Sequence, residues 1–119
     1  MHDYKKLIVW QEAVSFVTEI YSITKSFPVT ERYGLVSQIN RSAVSIPSNI
    51  AEGAGRNTNG EFRNFLGNAF GSICELETQL IIANNLNYLT LTDLEKLLSK
   101  LKIIQKMSYH LLTSISKKT

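Results

Sequence analysis

The chain has little of what staples, interrupts or decorates a fold. Its 119 residues include one cysteine, Cys74, one tryptophan, two prolines and two histidines. A lone cysteine excludes an internal disulfide and any cysteine-based zinc cluster. Cys74 stands among Phe70, Ile73 and Ile81, and a buried thiol acting as a small hydrophobe is expected there. With only His2 and His110, no paired metal ligands, no HExxH and no Ser/His/Asp arrangement can be assembled. No enzymatic activity and no cofactor are therefore expected. The segment GAGRNTNG lacks the lysine and hydroxyl of a phosphate-binding loop and reads as a helix-terminating turn. No apolar run approaches the roughly 18 residues that cross a bilayer. The start, MHDYKKLIVWQEAV, has no signal-peptide pattern: Gln11 and Glu12 interrupt its only apolar run. A cytoplasmic protein is expected.

What is present is helical. Apolar residues make up 44% and charged residues 19%, the balance of a globular chain, and one domain over residues 1–119 is expected. Four amphipathic patterns recur at helical spacing, and no strand alternation competes. The first runs from about Lys6 to Ser26 and stops at Phe27-Pro28. Its apolar residues, including Trp10, cover about half the circumference, wider than the roughly 100° stripe of an ordinary surface helix.

The second spans Tyr33 to Arg56, with Thr30 as its expected N-cap. Pro47 lies inside its stripe, at a cost of roughly 3 kcal/mol. A kink, or two helices meeting at Ile46–Pro47, is predicted. The third runs from about Glu61 to Asn85. Gly67 and Gly71, at the edge of its stripe, would let another backbone approach closely, each losing about 1 kcal/mol of helix propensity. The fourth starts at Thr92, with Glu95 three residues on as a capping box, and runs to the C-terminus. Four helices with short connections predict an all-α, antiparallel up-and-down four-helix bundle.

Charge is unevenly spread over the net +3. From residue 92 onward, Lys96, Lys100, Lys102, Lys106, Lys117 and Lys118 oppose Asp93 and Glu95. Arg41 and Arg56 lie on the polar face of the second helix. Lys96, Lys100, Lys102, Lys106, Arg41 and Arg56 are the candidate nucleic-acid contacts, suited to phosphate and shape recognition more than to base reading. Aromatics able to stack on bases are not interleaved with them, Tyr109 being the nearest. Ile103 and Met107 fall within the lysine-rich face of the last helix. With Trp10 on the wide first helix, they are the candidate oligomer interface. Glu77 falls inside the apolar arc of the third helix, where a charge needs a partner. A structural ion pair with Arg41, Arg56 or Arg63 is expected.

The stretch GLVSQINRSAVSIPSNIAEGAGR closely resembles the signature of a four-helix-bundle family encoded by intervening sequences in bacterial 23S ribosomal RNA genes. The accessory variability protein of diversity-generating retroelements is similar. The likeness continues through EFRNFLGNAFGSICELETQL and begins near LIVWQEA, so it covers most of the chain. It implies a bundle that assembles as a ring-shaped homopentamer without enzymatic activity. For the retroelement relatives it also implies RNA or DNA binding through a basic surface and docking to a reverse transcriptase. Where the family often has two basic residues, this sequence has Asn40-Arg41, which thins the basic patch. Glu75 and Glu77 match the family's ELE step, implying a structural role for at least one of them. Two functions follow as expectations: association with ribosomal RNA or other nucleic acid, or a protein–protein adaptor role without nucleic acid.

Overall fold

A computed structural model describes residues 2–115. It contains four α-helices: α1 (Ile8–Thr24), α2 (Leu35–Ala54), α3 (Asn59–Asn85) and α4 (Leu91–Ser114). Short 3-10 turns at Tyr4–Lys6 and Val29–Glu31 precede α1 and α2. The described residues contain no strand. The all-α four-helix architecture is the one the apolar periodicity predicts. The long dimension, 47 Å, is close to the roughly 40 Å length of a 27-residue helix such as α3.

α1 has no side-chain cap, but α2, α3 and α4 each begin where a side chain meets a free N–H of the first turn. At α3 the Thr58 hydroxyl accepts from the Glu61 backbone N–H at 3.1 Å, so Thr58-Asn59-Gly60-Glu61 is a start signal inside what reads as a loop. At α4 the cap is Thr90, which accepts from the Asp93 N–H at 3.1 Å, two residues before the expected Thr92. The preceding turn fixes this start. Asn87 adopts a φ of 64°, the left-handed region that asparagine tolerates. Asn84 Nδ2 also donates to the carbonyl of buried Leu89 at 2.9 Å. At α2, Thr30 is part of the 3-10 turn and not the cap. Glu31 Oε1 instead accepts from the Leu35 N–H at 3.2 Å.

The interior is one cluster drawn from all four helices, with Ile20, Ile39, Ile50, Leu66, Leu76 and Leu97 among its fully enclosed members. α2 and α3 pack most extensively against each other. They approach closely at Gly53, where an added Cβ would lie 2.8 Å from Phe65 Cβ. The helix ends pair up along the molecule. At one end, the His2 N–H bonds to Ala54 O, the His2 and Phe62 rings lie 5.1 Å apart, and Arg63 reaches Leu112 O. At the other, Phe27 and Tyr88 rings lie 5.7 Å apart and the Tyr88 hydroxyl donates to Glu31.

Two sequence expectations, for Cys74 and for the pair Gly67 and Gly71, are corrected. Of the two alternatives at Ile46–Pro47, α2 takes the one with a single helix, with Pro47 inside it. Pro47 is buried, and the flanking turn is fastened to α3. The Ser45 and Ser72 hydroxyls lie 2.7 Å apart, and Asn49 Nδ2 donates to Ser45 O at 2.8 Å. Burial and these bonds offset the missing backbone donor. Cys74 is exposed, because its neighbour Ile81 is itself on the outside of α3. Gly67 and Gly71 have open space where a Cβ would stand. The glycine that permits close helix approach within the protomer is Gly53.

Candidate nucleic-acid interface

The candidate cations come mainly from α4, whose inner stripe of Leu94, Leu97, Leu101, Ile104 and Ser108 is buried. That burial turns the lysines outward and divides them between two flanks. Lys100 faces α1 and is held by Glu19 at 2.7 Å. It shares a hollow of about 130 Å³ with Glu12, Glu19 and Ile103, so its charge is largely spent locally. Lys102 and Lys106 face the α3 side. There they line a hollow of about 270 Å³ with Phe70, Gln105, Tyr109 and His110. The Tyr109 and His110 rings lie 6.4 Å apart, edge to face. Lys96, Lys102 and Lys106 enter no ion pair among the described residues. Lys117 and Lys118 lie outside the described residues.

The two arginines do not join this surface. Arg56 sits at the end of α2, bonded to Glu52 at 3.0 Å, facing Glu61 at 3.6 Å and stacked over the Phe65 ring at 4.7 Å. Its charge is neutralised, and it fastens the α2–α3 turn. Arg41 lies on the α1–α2 side, in a hollow with Arg32, Tyr21 and Tyr33. The six candidate cations therefore separate into four places: the two flanks of α4, the end of α2 and the α1–α2 side. A helical wheel gives each residue's direction on its own helix but not the position of the neighbouring helix.

Glu77 does not form the expected ion pair. It is exposed and takes no part in the ion pairs of the described residues. Arg56 is occupied as above. Arg63 instead donates to Leu112 O at 2.8 Å and Ile115 O at 3.4 Å, tying down the end of α4. Arg41 is on the far side of α2. The arc that seemed to enclose Glu77 is narrower than the sequence suggests, since Ile81 beside it is exposed. Glu77 lines an open hollow of about 300 Å³ between α3 and α4, which Lys102 also lines.

The three residues proposed for self-association occupy different settings. Ile103 is 57% exposed. Met107 is half-buried and packs against the core. Trp10 is half-buried and meets Tyr4 edge to face at 5.1 Å. Among the described residues, no group of histidine, cysteine and carboxylate side chains is arranged to hold a metal ion.

The sequence matches the family model of the 23S rRNA-intervening sequence protein over residues 5–110. The chain belongs to this family. That match covers all four helices apart from the last turn of α4. Comparison with curated proteins finds no match. Membership in the 23S rRNA-intervening sequence protein family associates the chain with ribosomal RNA by the family's name. Among the described residues, no helix is long and apolar enough to cross a membrane.

Proposed function

We propose that this member of the 23S rRNA-intervening sequence protein family is a non-enzymatic, self-associating cytoplasmic protein that binds RNA along the outer surface of α4. The observation that carries this is that Lys96, Lys102 and Lys106 enter no ion pair among the described residues, with Tyr109 and His110 beside the last two. Cations without carboxylate partners are free to displace the counterions of a phosphate backbone. Lys100 and Arg56 have carboxylate partners in the protomer and contribute less. The hollow beside Lys102 and Lys106 is shallow and open, so contact is with backbone and shape, and Tyr109 supplies a stacking face.

A second function, a protein–protein adaptor such as a reverse-transcriptase accessory protein, draws on exposed Ile103 beside Lys100. The two separate by salt dependence. A fluorescence-anisotropy titration against a structured ribosomal RNA fragment should give a log–log salt slope of about −2 to −3 for three phosphate contacts. Changing Lys102 and Lys106 to Gln should flatten that slope by about 1.5, whereas Lys100→Gln should leave it nearly unchanged. Absence of binding at low salt would remove the RNA function and leave the adaptor.

A further inference from the structure

The flank of α4 on the α3 side carries more than cations. Lys96, Ser99, Lys102, Lys106 and Tyr109 follow one another at spacings of three, three, four and three, so they share one edge of the helix, about 20 Å long. All five are exposed. Two hollows open along this edge and meet at Lys102 and Gln105, which line both. The one nearer the end of α4 is lined by Phe70, Tyr109 and His110. The other, of about 300 Å³, is lined by Ile73, Leu98 and Leu101 and by four polar side chains. Ile73 and Leu101 belong to the buried core, so this second hollow has an apolar floor and a polar rim. An apolar surface with a few polar groups at its edge suits a flat ring whose orientation those groups fix.

The rim is asymmetric. α4 supplies Ser99, Lys102 and Gln105, and α3 supplies Glu77. Glu77 enters no ion pair among the described residues. Its carboxylate repels phosphate, so the group that sits beside it is one that donates hydrogen bonds. An ionised carboxylate only accepts, through two oxygens side by side. Its match is a planar edge with two adjacent N–H donors. Among the four RNA bases guanine alone has that edge, in N1–H and the 2-amino group. Uracil, cytosine and adenine each set an acceptor next to their donor, against the second carboxylate oxygen. Gln105 and Lys102 supply the donors that the neighbouring 6-carbonyl of guanine needs. In a duplex cytosine covers this edge, so only an unpaired guanine offers it.

We propose that the hollow between α3 and α4 at Glu77 is a site for one unpaired guanine of a single-stranded RNA, with the adjoining nucleotide stacked on Tyr109 and the phosphates on Lys102 and Lys106. This rests on the RNA binding along α4 proposed above and adds a base preference to it. The lysines hold the strand without regard to sequence, and Glu77 selects the nucleotide that enters the hollow. Glu77 thereby has a use for a carboxylate that no cation in the protomer pairs with among the described residues.

The test uses the full chain and a short fluorescein-labelled oligouridine with a single central guanosine. Anisotropy titrations at low salt compare it with oligomers carrying adenosine, cytidine, uridine or inosine at that position. Wild type should bind the guanosine oligomer about 5- to 10-fold more tightly than the adenosine, cytidine and uridine oligomers, the lower part of the range for a bidentate contact because the site is exposed. Inosine, which lacks the 2-amino group, should lose part of that advantage. Glu77→Gln, at an exposed position, should keep the wild-type circular dichroism and thermal melt and bind all the oligomers alike. Lys106→Gln should weaken every oligomer equally and lower the salt slope. Equal binding of all the oligomers by wild type, with a clear salt slope, would overturn the guanine site and retain RNA binding. So would failure to bind any oligomer while the structured ribosomal RNA fragment still binds. A guanosine preference that survives in Glu77→Gln would overturn the assignment to Glu77. No binding of either kind of RNA at low salt would overturn the guanine site and the RNA function together.

Discussion

Gly53→Ala isolates a close contact between α2 and α3. An alanine Cβ there would stand 2.8 Å from Phe65 Cβ, 2.9 Å from Phe62 Cδ1 and 3.2 Å from Phe62 O. Two of these atoms cannot swing away: Phe65 Cβ is fixed to its backbone and Phe62 O belongs to it. Relief therefore requires α2 and α3 to separate along their most extensive contact. Two opposing terms set the magnitude. Alanine in place of glycine favours a helix by about 1 kcal/mol. Forcing an extra carbon into a packed interior costs about 1–3 kcal/mol. With the neighbours unable to rotate aside, the upper part of that range applies, and the net loss is about 1–2 kcal/mol. For a chain of this length that corresponds to a fall in Tm of roughly 3–10 °C. Urea denaturation followed by circular dichroism should show a lower midpoint with an unchanged slope. Ser48→Ala, at an exposed position five residues earlier on the same helix, should change the midpoint by only a few tenths of a kcal/mol in the stabilising direction. A midpoint for Gly53→Ala equal to or above wild type would refute the close-contact argument.

Thr58→Ala removes the hydroxyl that accepts from Glu61 N–H and should destabilise the protein by about 1 kcal/mol, read in the same denaturation assay. Arg63→Met keeps most of the side-chain bulk but releases Leu112 O and Ile115 O, so amide hydrogen exchange should quicken in the last turn of α4 before it does so in α3. The Tyr88 phenol is raised above its ordinary value of 10.0, first by its hydrogen bond to Glu31, then by desolvation, then by the Glu31 charge. A group raised in the folded state contributes stability that is complete below the unfolded value and is lost as pH climbs through the folded one. The stability of wild type should therefore fall above pH 10 by more than that of Tyr88→Phe, which lacks the titrating group.

Much of the fold was legible because helical periodicity is a local property. The stripes of α1, α2 and α3 were readable to within a few residues, and α4 was misplaced only at its cap. That error has a simple cause: Thr90 and Thr92 are both competent caps, and the choice fell to the Asn87 turn and the anchoring of Leu89 by Asn84. The start of α3 was readable and missed, since Thr58 and Glu61 stand at capping-box spacing. The candidate site was less legible. Whether a lysine is available depends on what the neighbouring helix offers it. Glu19 lies 81 residues before Lys100, and nothing in the local pattern links them.

The sequence by itself determined which segments are helical, which face of each is apolar, and where most of them stop. These follow from residue spacing, proline geometry and capping chemistry within a few positions. Tertiary structure alone decided the state of the individual side chains. It exposed Glu77 and Cys74, joined Lys100 to Glu19, sent Arg63 to the end of α4, and brought the α1 stripe beside Arg41. Pairing and exposure arise between helices, and the rotation and register that set them come from packing the whole core, where Gly53 admits α3 and Gly67 and Gly71 face open space.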